Sequence, residues 1–341
     1  MSVTIKDVAK KAGVATSTVS RTIQDSPSIS EKTKENVRRV MKEIGYRPNL
    51  TARGLVNQTT QTIGVILPVS QGQGFQNTFF LSMIRGISKA CNEKKYMVSL
   101  ASGTTEAELL ESIQTMAEGG RVDGFIVLYS KKDDPIIEYL HQEKVPYAMI
   151  GKPYKYENEM LYVDNDNVVA GKDAANYLVQ LGHKKIAFIG EDANQMVIRE
   201  RLKGYMQALD DAGIQMDKEL ILDVTLPEAA YRRKIKQLFG NGDFPTGIVA
   251  SDDLIALNMS YLLSGFGLKI PTDVSIIGFN NSIFAEKARP ELTSIDLHTD
   301  SLTSQTVYQL IDLMVGKQTL AVKIILPHQI IERQSCIRNT N

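Results

Sequence analysis

A small all-α head followed by an α/β core of two doubly wound parallel sheets is the fold class that this sequence predicts, and three observations carry it. Residues 4–44 hold three stretches of helix-period apolar residues and no strand-like run. From about residue 61 onward, short β-branched runs alternate with amphipathic stretches: Ile63–Val69, Met97–Leu100, Phe125–Leu128, Ala148–Ile150, Ile186–Ile189, Ile221–Val224, Ile248–Ala250 and Val274–Phe279. Their hydrophobicity is continuous rather than alternating, as in strands covered on both faces, and regular βαβ alternation calls for parallel sheets with right-handed crossovers. The strands are too many for one compact sheet, so a second series is expected to begin near residue 162.

The head reads as a helix-turn-helix. Ile5–Ala12 can form a helix, Gly13 can turn with positive φ, and Ser17–Gln24 can form a second helix. Ala9, Gly13 and Val19 stand at offsets 0, 4 and 10, where a small residue lets two helices approach and a β-branched one fills their contact. Ser30 is a good N-cap for a third helix with Glu31 at its positive end, and Gly45 ends it. Val37, Val40, Met41 and Ile44 form one apolar stripe that closes a three-helix core. In this motif the second helix enters the major groove of DNA by its N-terminal residues. Those are Thr16 and Ser17, with Arg21 one turn on, and an arginine can pair with guanine O6 and N7.

Charge agrees with that reading. The chain of 341 residues carries 39 Lys and Arg against 39 Asp and Glu. Residues 1–60, however, hold eleven basic side chains and five acidic ones, a net +6, and the remainder holds 28 against 34, a net −6. A basic head on an acidic body suits a polyanionic partner for the head alone. Between them lies a nearly uncharged linker, with the turn-forming cluster Tyr46-Arg47-Pro48-Asn49 followed by a polar tract.

Several function classes drop out. No apolar run reaches the length of a membrane span, and the N-terminus reads as a polar amphipathic helix rather than an export signal, so a cytoplasmic location is expected. Cys91 and Cys336 are far apart and lack ligand-spaced partners, which disfavours a disulfide framework or a zinc site. Gly72-Gln73-Gly74-Phe75-Gln76-Asn77 imitates a dinucleotide fingerprint, but Asn77 replaces the third glycine and no carboxylate ends the next strand. The histidines are scattered, and His183 is expected to end a helix, so no nucleophile–base constellation supports an enzyme.

The segments TIKDVAKKAGVATSTVSR (4–21), GYRPNLTARGL (45–55) and IGVILP (63–68) resemble the lac repressor/galactose repressor (LacI/GalR) family of bacterial transcription regulators along the whole chain. The resemblance implies a helix-turn-helix domain at 1–46, a hinge helix at 47–60 and two periplasmic-binding-protein-like subdomains, 61–161 with 292–318 and 162–291 with 319–341. It implies DNA contacts from Thr4, Thr16, Ser17, Thr18, Ser20, Arg21, Asn49, Ala52, Arg53 and Leu55, with Ala52 and Leu55 entering the minor groove of a pseudo-palindromic operator. A nine-residue helix is marginal alone, so a partner hinge helix and unstacked bases would bury Leu55. A homodimer follows from the two-fold operator.

Ligands in open α/β sheets sit beyond the carboxyl ends of strands. The family's effector positions fall on Phe79, Phe80, Tyr129, Ser130, Arg199, Asp252 and Asn280. Aromatic faces, a hydroxyl and a guanidinium fork suit a sugar, and Asn280, where most relatives carry Asp, favours a neutral polyol. GFNNSIFAE (278–286) beside VIRERLKGY (197–205) looks most like the maltose-operon repressors of Gram-positive bacteria, which implies maltose or a malto-oligosaccharide as effector. No cofactor or metal is implied. A catabolite regulator that uses a phosphocarrier protein as corepressor is the competing reading, and a sugar-binding or transport protein is disfavoured by the sixty-residue head.

Overall fold

The computed structural model describes residues 3–23, 25–46, 59–69, 78–191, 195–318 and 320–340, in two units that divide after Thr60. The first unit holds α1 (Ile5–Ala12), α2 (Thr16–Ile23) and α3 (Glu31–Glu43). Gly13 makes the turn between α1 and α2 at φ +68°, a conformation that glycine adopts without a Cβ penalty. Val8, Ala9, Val19, Val37 and Val40 form the closed core, with Met41, Ile44 and Tyr46 packed at its margin. Ser30 caps α3 by accepting the Thr33 N–H at 3.3 Å, and Asn36 Nδ2 donates to Ala12 O at 3.1 Å, satisfying a carbonyl at the end of α1.

The second unit is two α/β lobes. In the first lobe the chain runs β1 (Thr62–Ile66), α4 (Thr78–Glu93), β2 (Met97–Ala101), α5 (Glu106–Glu118), β3 (Gly124–Val127), α6 (Pro135–Gln142), β4 (Tyr147–Ile150) and β5 (Leu161–Asn165). The second lobe follows as α7 (Asn167–Gln180), β6 (Ile186–Gly190), α8 (Met196–Asp211), β7 (Ile221–Asp223), α9 (Glu228–Phe239), β8 (Gly247–Ala250), α10 (Asp253–Gly265), β9 (Ser275–Phe279), α11 (Ile283–Lys287) and β10 (Thr293–Asp296). The chain then returns for α12 (Thr299–Met314) and β11 (Lys323–Leu326) and crosses once more for β12 (Gln329–Ile331).

The strand orders are β11-β5-β4-β3-β1-β2 and β12-β10-β9-β8-β6-β7. Every pairing is parallel except that of β12 with β10. Strands such as β3, β8 and β9 are buried along their whole length, which is why their sequences read as unbroken apolar runs.

The lobe boundaries differ from those expected. Leu161–Asn165 completes the first sheet between β4 and β11, so the second series begins at Ile186 and not near residue 162. Thr293–Asp296, expected in the first lobe, belongs to the second sheet, and Lys323–Leu326, expected in the second, belongs to the first. A buried parallel strand carries no mark of which sheet it joins. The chain therefore crosses between lobes three times, at 165–167, 296–299 and 326–329. His183 does close the end of α7, donating its N–H to Leu178 O at 3.1 Å, and burial lowers its pKa.

Candidate functional site

In the first unit, α2 turns Val19 and Thr22 inward and leaves Thr16, Ser17 and Arg21 exposed, with Thr18 and Ser20 half-buried beside them. The residue before the helix is Ala15, whose side chain cannot cap and whose carbonyl accepts from the Thr18 and Val19 amides. Thr4 holds the opposite role at α1: its N–H and hydroxyl both donate to Asp7 Oδ2, at 2.9 and 2.7 Å. Those bonds hold the Asp7 carboxyl below its usual range.

Three of the five acids of the head are spent on partners around α3. Asp25 pairs with Lys34 and Arg38, Glu31 with Lys34, and Glu43 with Lys11 and Arg39. Arg21, Lys6, Lys10, Lys32 and Lys42 form no ion pair among the described residues. The surplus positive charge is thus left on side chains free to meet phosphate or base edges. Asn49, Ala52, Arg53 and Leu55, and with them the whole expected hinge helix, lie outside the described residues, as does the Gly72–Asn77 motif.

In the second unit a cavity of about 580 Å³ opens between the lobes. Its lining follows the carboxyl ends of β1, β3, β4, β5, β6, β8 and β9, the expected place in doubly wound sheets. Phe79 and Phe80, half-buried at the start of α4, meet edge to face with centroids 5.7 Å apart. Tyr129 and Ser130 follow β3 on the same wall. Burial pushes the Tyr129 phenol well up, so it remains a hydroxyl donor.

The polar wall is built around an arginine other than the one expected. Arg199 is exposed and does not line the cavity. Arg201 does, at 4% exposure. The inward face of α8 is Ile198, Arg201, Gly204, Tyr205 and Ala208, a helical stripe from which Arg199 is rotated away. Arg201 Nε donates to Asn167 Oδ1 at 3.1 Å, Nη1 donates to Ser251 O at 2.6 Å, and its Cζ lies 4.2 Å from the Phe279 ring centroid. Burial lowers the guanidinium to about 10 against the pull of Asp252, Asp164, Asp253 and Glu191, so it stays charged at neutral pH. Among the described residues two of its five N–H groups are used, which leaves three for a ligand.

Glycine makes this placement possible. A methyl on Gly204 would overlap the carbonyl oxygen of Val168, and one on Gly171 would overlap that of Arg201. Both glycines therefore let α7 and α8 touch backbone to backbone.

Carboxylates surround the guanidinium. Asp252 caps α10 through Leu254 N (2.7 Å) and accepts from Asn280 Nδ2 (2.6 Å). Asp164, at the end of β5, accepts from Asn165 N (2.8 Å) and Asn167 Nδ2 (3.1 Å), and burial raises it to about 7. Burial also raises Glu191, with Asp252 adding to the shift. Asn280 stands at φ +94° and Asn281 at +47°, held by Asn281 N–H donating to Ser294 Oγ and by Ser282 N–H donating to Asp253 Oδ2. The hydroxyls of Ser130 and Ser251, both on the lining, are buried without a hydrogen-bond partner among the described residues. At the rim, Lys152 of the first lobe meets Glu200 of the second at 3.4 Å.

Of the residues expected in the cavity, Phe79, Phe80, Tyr129, Ser130, Asp252 and Asn280 line it and Arg199 does not. Arg201, Asp164, Asn165, Asn167, Glu191 and Ser251 line it without having been expected. For Arg201 a signal existed: a charge on an apolar helical stripe. Among the described residues no three His, Cys, Asp or Glu converge to hold a metal, and no helix is long and apolar enough to cross a membrane.

Comparison with known proteins agrees with this architecture. The family model for bacterial regulatory proteins of the lacI family matches residues 4–49, and that for a periplasmic binding protein-like domain matches 175–336. The HTH-type transcriptional regulator MalR of Streptococcus pneumoniae is 38% identical over 337 residues, covering 98% of this chain and all of that protein. The solved structure of a complex of the transcriptional regulator CelR with cellobiose is 30% identical at a TM-score of 0.74, covering 98% of this chain and 99% of that one. The lac repressor dimer bound to operator and an anti-inducer has the same fold, with a TM-score of 0.80 at 23% identity over 99% of this chain and all of that one. The head with its exposed reading helix, the two-lobed core and near-full-length identity to such a regulator together establish that the chain belongs to the lacI family of bacterial transcription regulators.

Proposed function

We propose that this regulator is a repressor whose homodimer holds a two-fold-symmetric operator and lets go when an uncharged α-glucoside, maltose or a short malto-oligosaccharide, fills the interlobe cavity. The observation that carries the ligand reading is the cavity's division of labour. One wall is aromatic, from Phe79, Phe80 and Tyr129, and the other offers a buried guanidinium with unused donors set among carboxylates. Vicinal hydroxyls can accept from the guanidinium and donate to Asp164, Asp252 and Glu191, while C–H faces lie on the aromatic rings. The CelR–cellobiose complex and a solved structure of a probable maltose operon transcriptional repressor, both similar to this chain, support a disaccharide.

On the DNA side, Arg21 reads base edges, with Thr16, Ser17, Thr18 and Ser20 around it and Thr4 against the backbone. Asn49, Ala52, Arg53 and Leu55 serve the centre of the operator as a hinge. A two-fold site needs two such heads at a fixed spacing, which a dimer supplies. The protein would act in the cytoplasm on the bacterial nucleoid.

Calorimetry of the purified protein against maltose, maltotriose, sucrose, galactose and glucose tests the ligand. Binding of the α-glucosides is expected, and binding of galactose alone would replace the proposed effector. A gel shift on operator fragments selected from a random pool, at fixed salt, then tests release. Operator binding that persists at saturating maltose contradicts the inducer role.

A further inference from the structure

Asn165 lies where the three crossings between the lobes come together. It is the last residue of β5 and starts the first crossing. Its side chain, 3% exposed, directs Nδ2 at Leu297 O of the second crossing (3.3 Å) and at Leu326 O and Pro327 O of the third (both 3.1 Å). One amide group therefore touches every segment that must twist if the lobes move. It has two N–H bonds for three acceptors, so a small rotation of one lobe can pass a hydrogen bond from one carbonyl to another without leaving a buried donor unmade.

The flanks of the crossings are fixed to separate lobes. At the far end of the third crossing, His328 Nε2 is 3.0 Å from Asp173 Oδ2 on α7 of the second lobe. Before it, Lys323 donates to Glu157 and Asn158 of the first. Asn165 also lines the cavity, and its Oδ1 accepts no hydrogen bond among the described residues.

We infer that Asn165 is the positioning residue of the ligand response: its Nδ2 fixes the register of the three crossings, and its Oδ1 accepts a hydroxyl of the bound ligand and so ties cavity occupancy to that register. The second half rests on the reading of the cavity as the effector site; the first does not. A ligand hydrogen bond to Oδ1 orients the amide plane and selects which carbonyls Nδ2 serves. Occupancy thus becomes a preference for one lobe orientation, as a ligand-driven population shift requires.

Spin labels on Glu111→Cys of α5 and Lys236→Cys of α9, both exposed, report the interlobe distance in the full chain, because the native Cys91 and Cys336 are buried. Without ligand, Asn165→Ala is expected to broaden the distance distribution relative to the unsubstituted pair while thermal unfolding stays cooperative. A distribution unchanged by the substitution overturns the inference. Should Asn165→Ala fail to fold, the near-isosteric Asn165→Asp carries the same test, since an ionised carboxylate has no donor for three carbonyls.

The second readout is the ratio of operator affinities with and without maltose, set against the maltose affinity itself. Allosteric factors are typically about 5–150, and in the Asn165 variants the factor is expected to fall toward one by more than maltose affinity weakens. Equal losses in both would reduce Asn165 to an ordinary contact and overturn the coupling role. If the unsubstituted protein does not bind maltose, the effector reading fails, and the ligand-free distance distribution still decides the role of Asn165 in the crossings.

Discussion

Replacing Arg201 by lysine separates what its fork does from what its charge does. The ammonium keeps a cation beside Asp252 and beside Asp164 and Glu191, which burial already raises. The variant thus avoids the roughly 3–5 kcal/mol cost of leaving a buried carboxylate without its partner. What it loses is reach. The guanidinium spans Asn167 Oδ1 and Ser251 O and still has donors for two ligand oxygens, whereas an ammonium is a single point. If lysine preserves one ligand hydrogen bond and forfeits the other, the loss is about 1.5–3 kcal/mol for a charge-assisted bond. That weakens maltose binding about 10–150-fold. Titration calorimetry measures it, with a gel shift as control, and operator affinity without ligand should be unchanged because Arg201 lies in the core. Undiminished maltose affinity in Arg201→Lys, or a comparable loss in Arg199→Ala, would refute the assignment of Arg201 as the ligand's anchor.

Other outcomes follow from the same geometry. Asp164 and Asp253 are raised by burial to about 7. They stay protonated in the folded chain at pH values where the unfolded chain has ionised them, so the stability they allow is full below about pH 4 and is lost as pH rises toward about 7. Urea titrations across that range should show Asp164→Asn flattening part of this fall; an unchanged slope would remove the buried-carboxyl account. Gly204→Ala puts a methyl 2.5 Å from Lys172 N and against Val168 O, backbone atoms that cannot turn aside. It should cost about 3 kcal/mol or more of stability by overpacking, and a variant as stable as the parent would contradict the close α7–α8 contact. Arg21→Ala should relax preference at one operator base pair, a loss of about 1–3 kcal/mol in competition with mismatched sites. Its weak salt-dependent binding to random DNA should hardly change, and a uniform loss on all sequences would instead make Arg21 a phosphate contact.

Much of this architecture was legible in the residue pattern because its causes are local. Ala9, Gly13 and Val19 announce the two-helix turn since helix approach, positive φ and a filled contact each demand a residue type at a set distance. Continuous apolar runs announce buried parallel strands for the same kind of reason. What was not legible depends on long-range closure. Leu161–Asn165 can pair in either sheet, and its pairing with β4 on one side and with the returning Lys323–Leu326 on the other fixes it in the first. With that strand misplaced, Asp164 and Asn165 at its end could not be seen as facing the cavity. Arg199 and Arg201 differ by half a helical turn, and the resemblance to the family's motif selected the exposed one. The apolar stripe Ile198, Tyr205 and Ala208 would have selected Arg201, because a charge on a buried face has to be paired or used.

The claim on which everything else rests is that the interlobe cavity and the head are linked through one protein. Linkage demands reciprocity: whatever factor the ligand imposes on operator affinity, the operator imposes on ligand affinity. Titrating operator at zero and saturating maltose, and maltose at zero and saturating operator, in one buffer at one salt concentration, measures both factors. Weakening of each partner's affinity by the other, to the same extent, is the predicted result. Operator affinity that maltose leaves unchanged while calorimetry shows it bound would contradict the account.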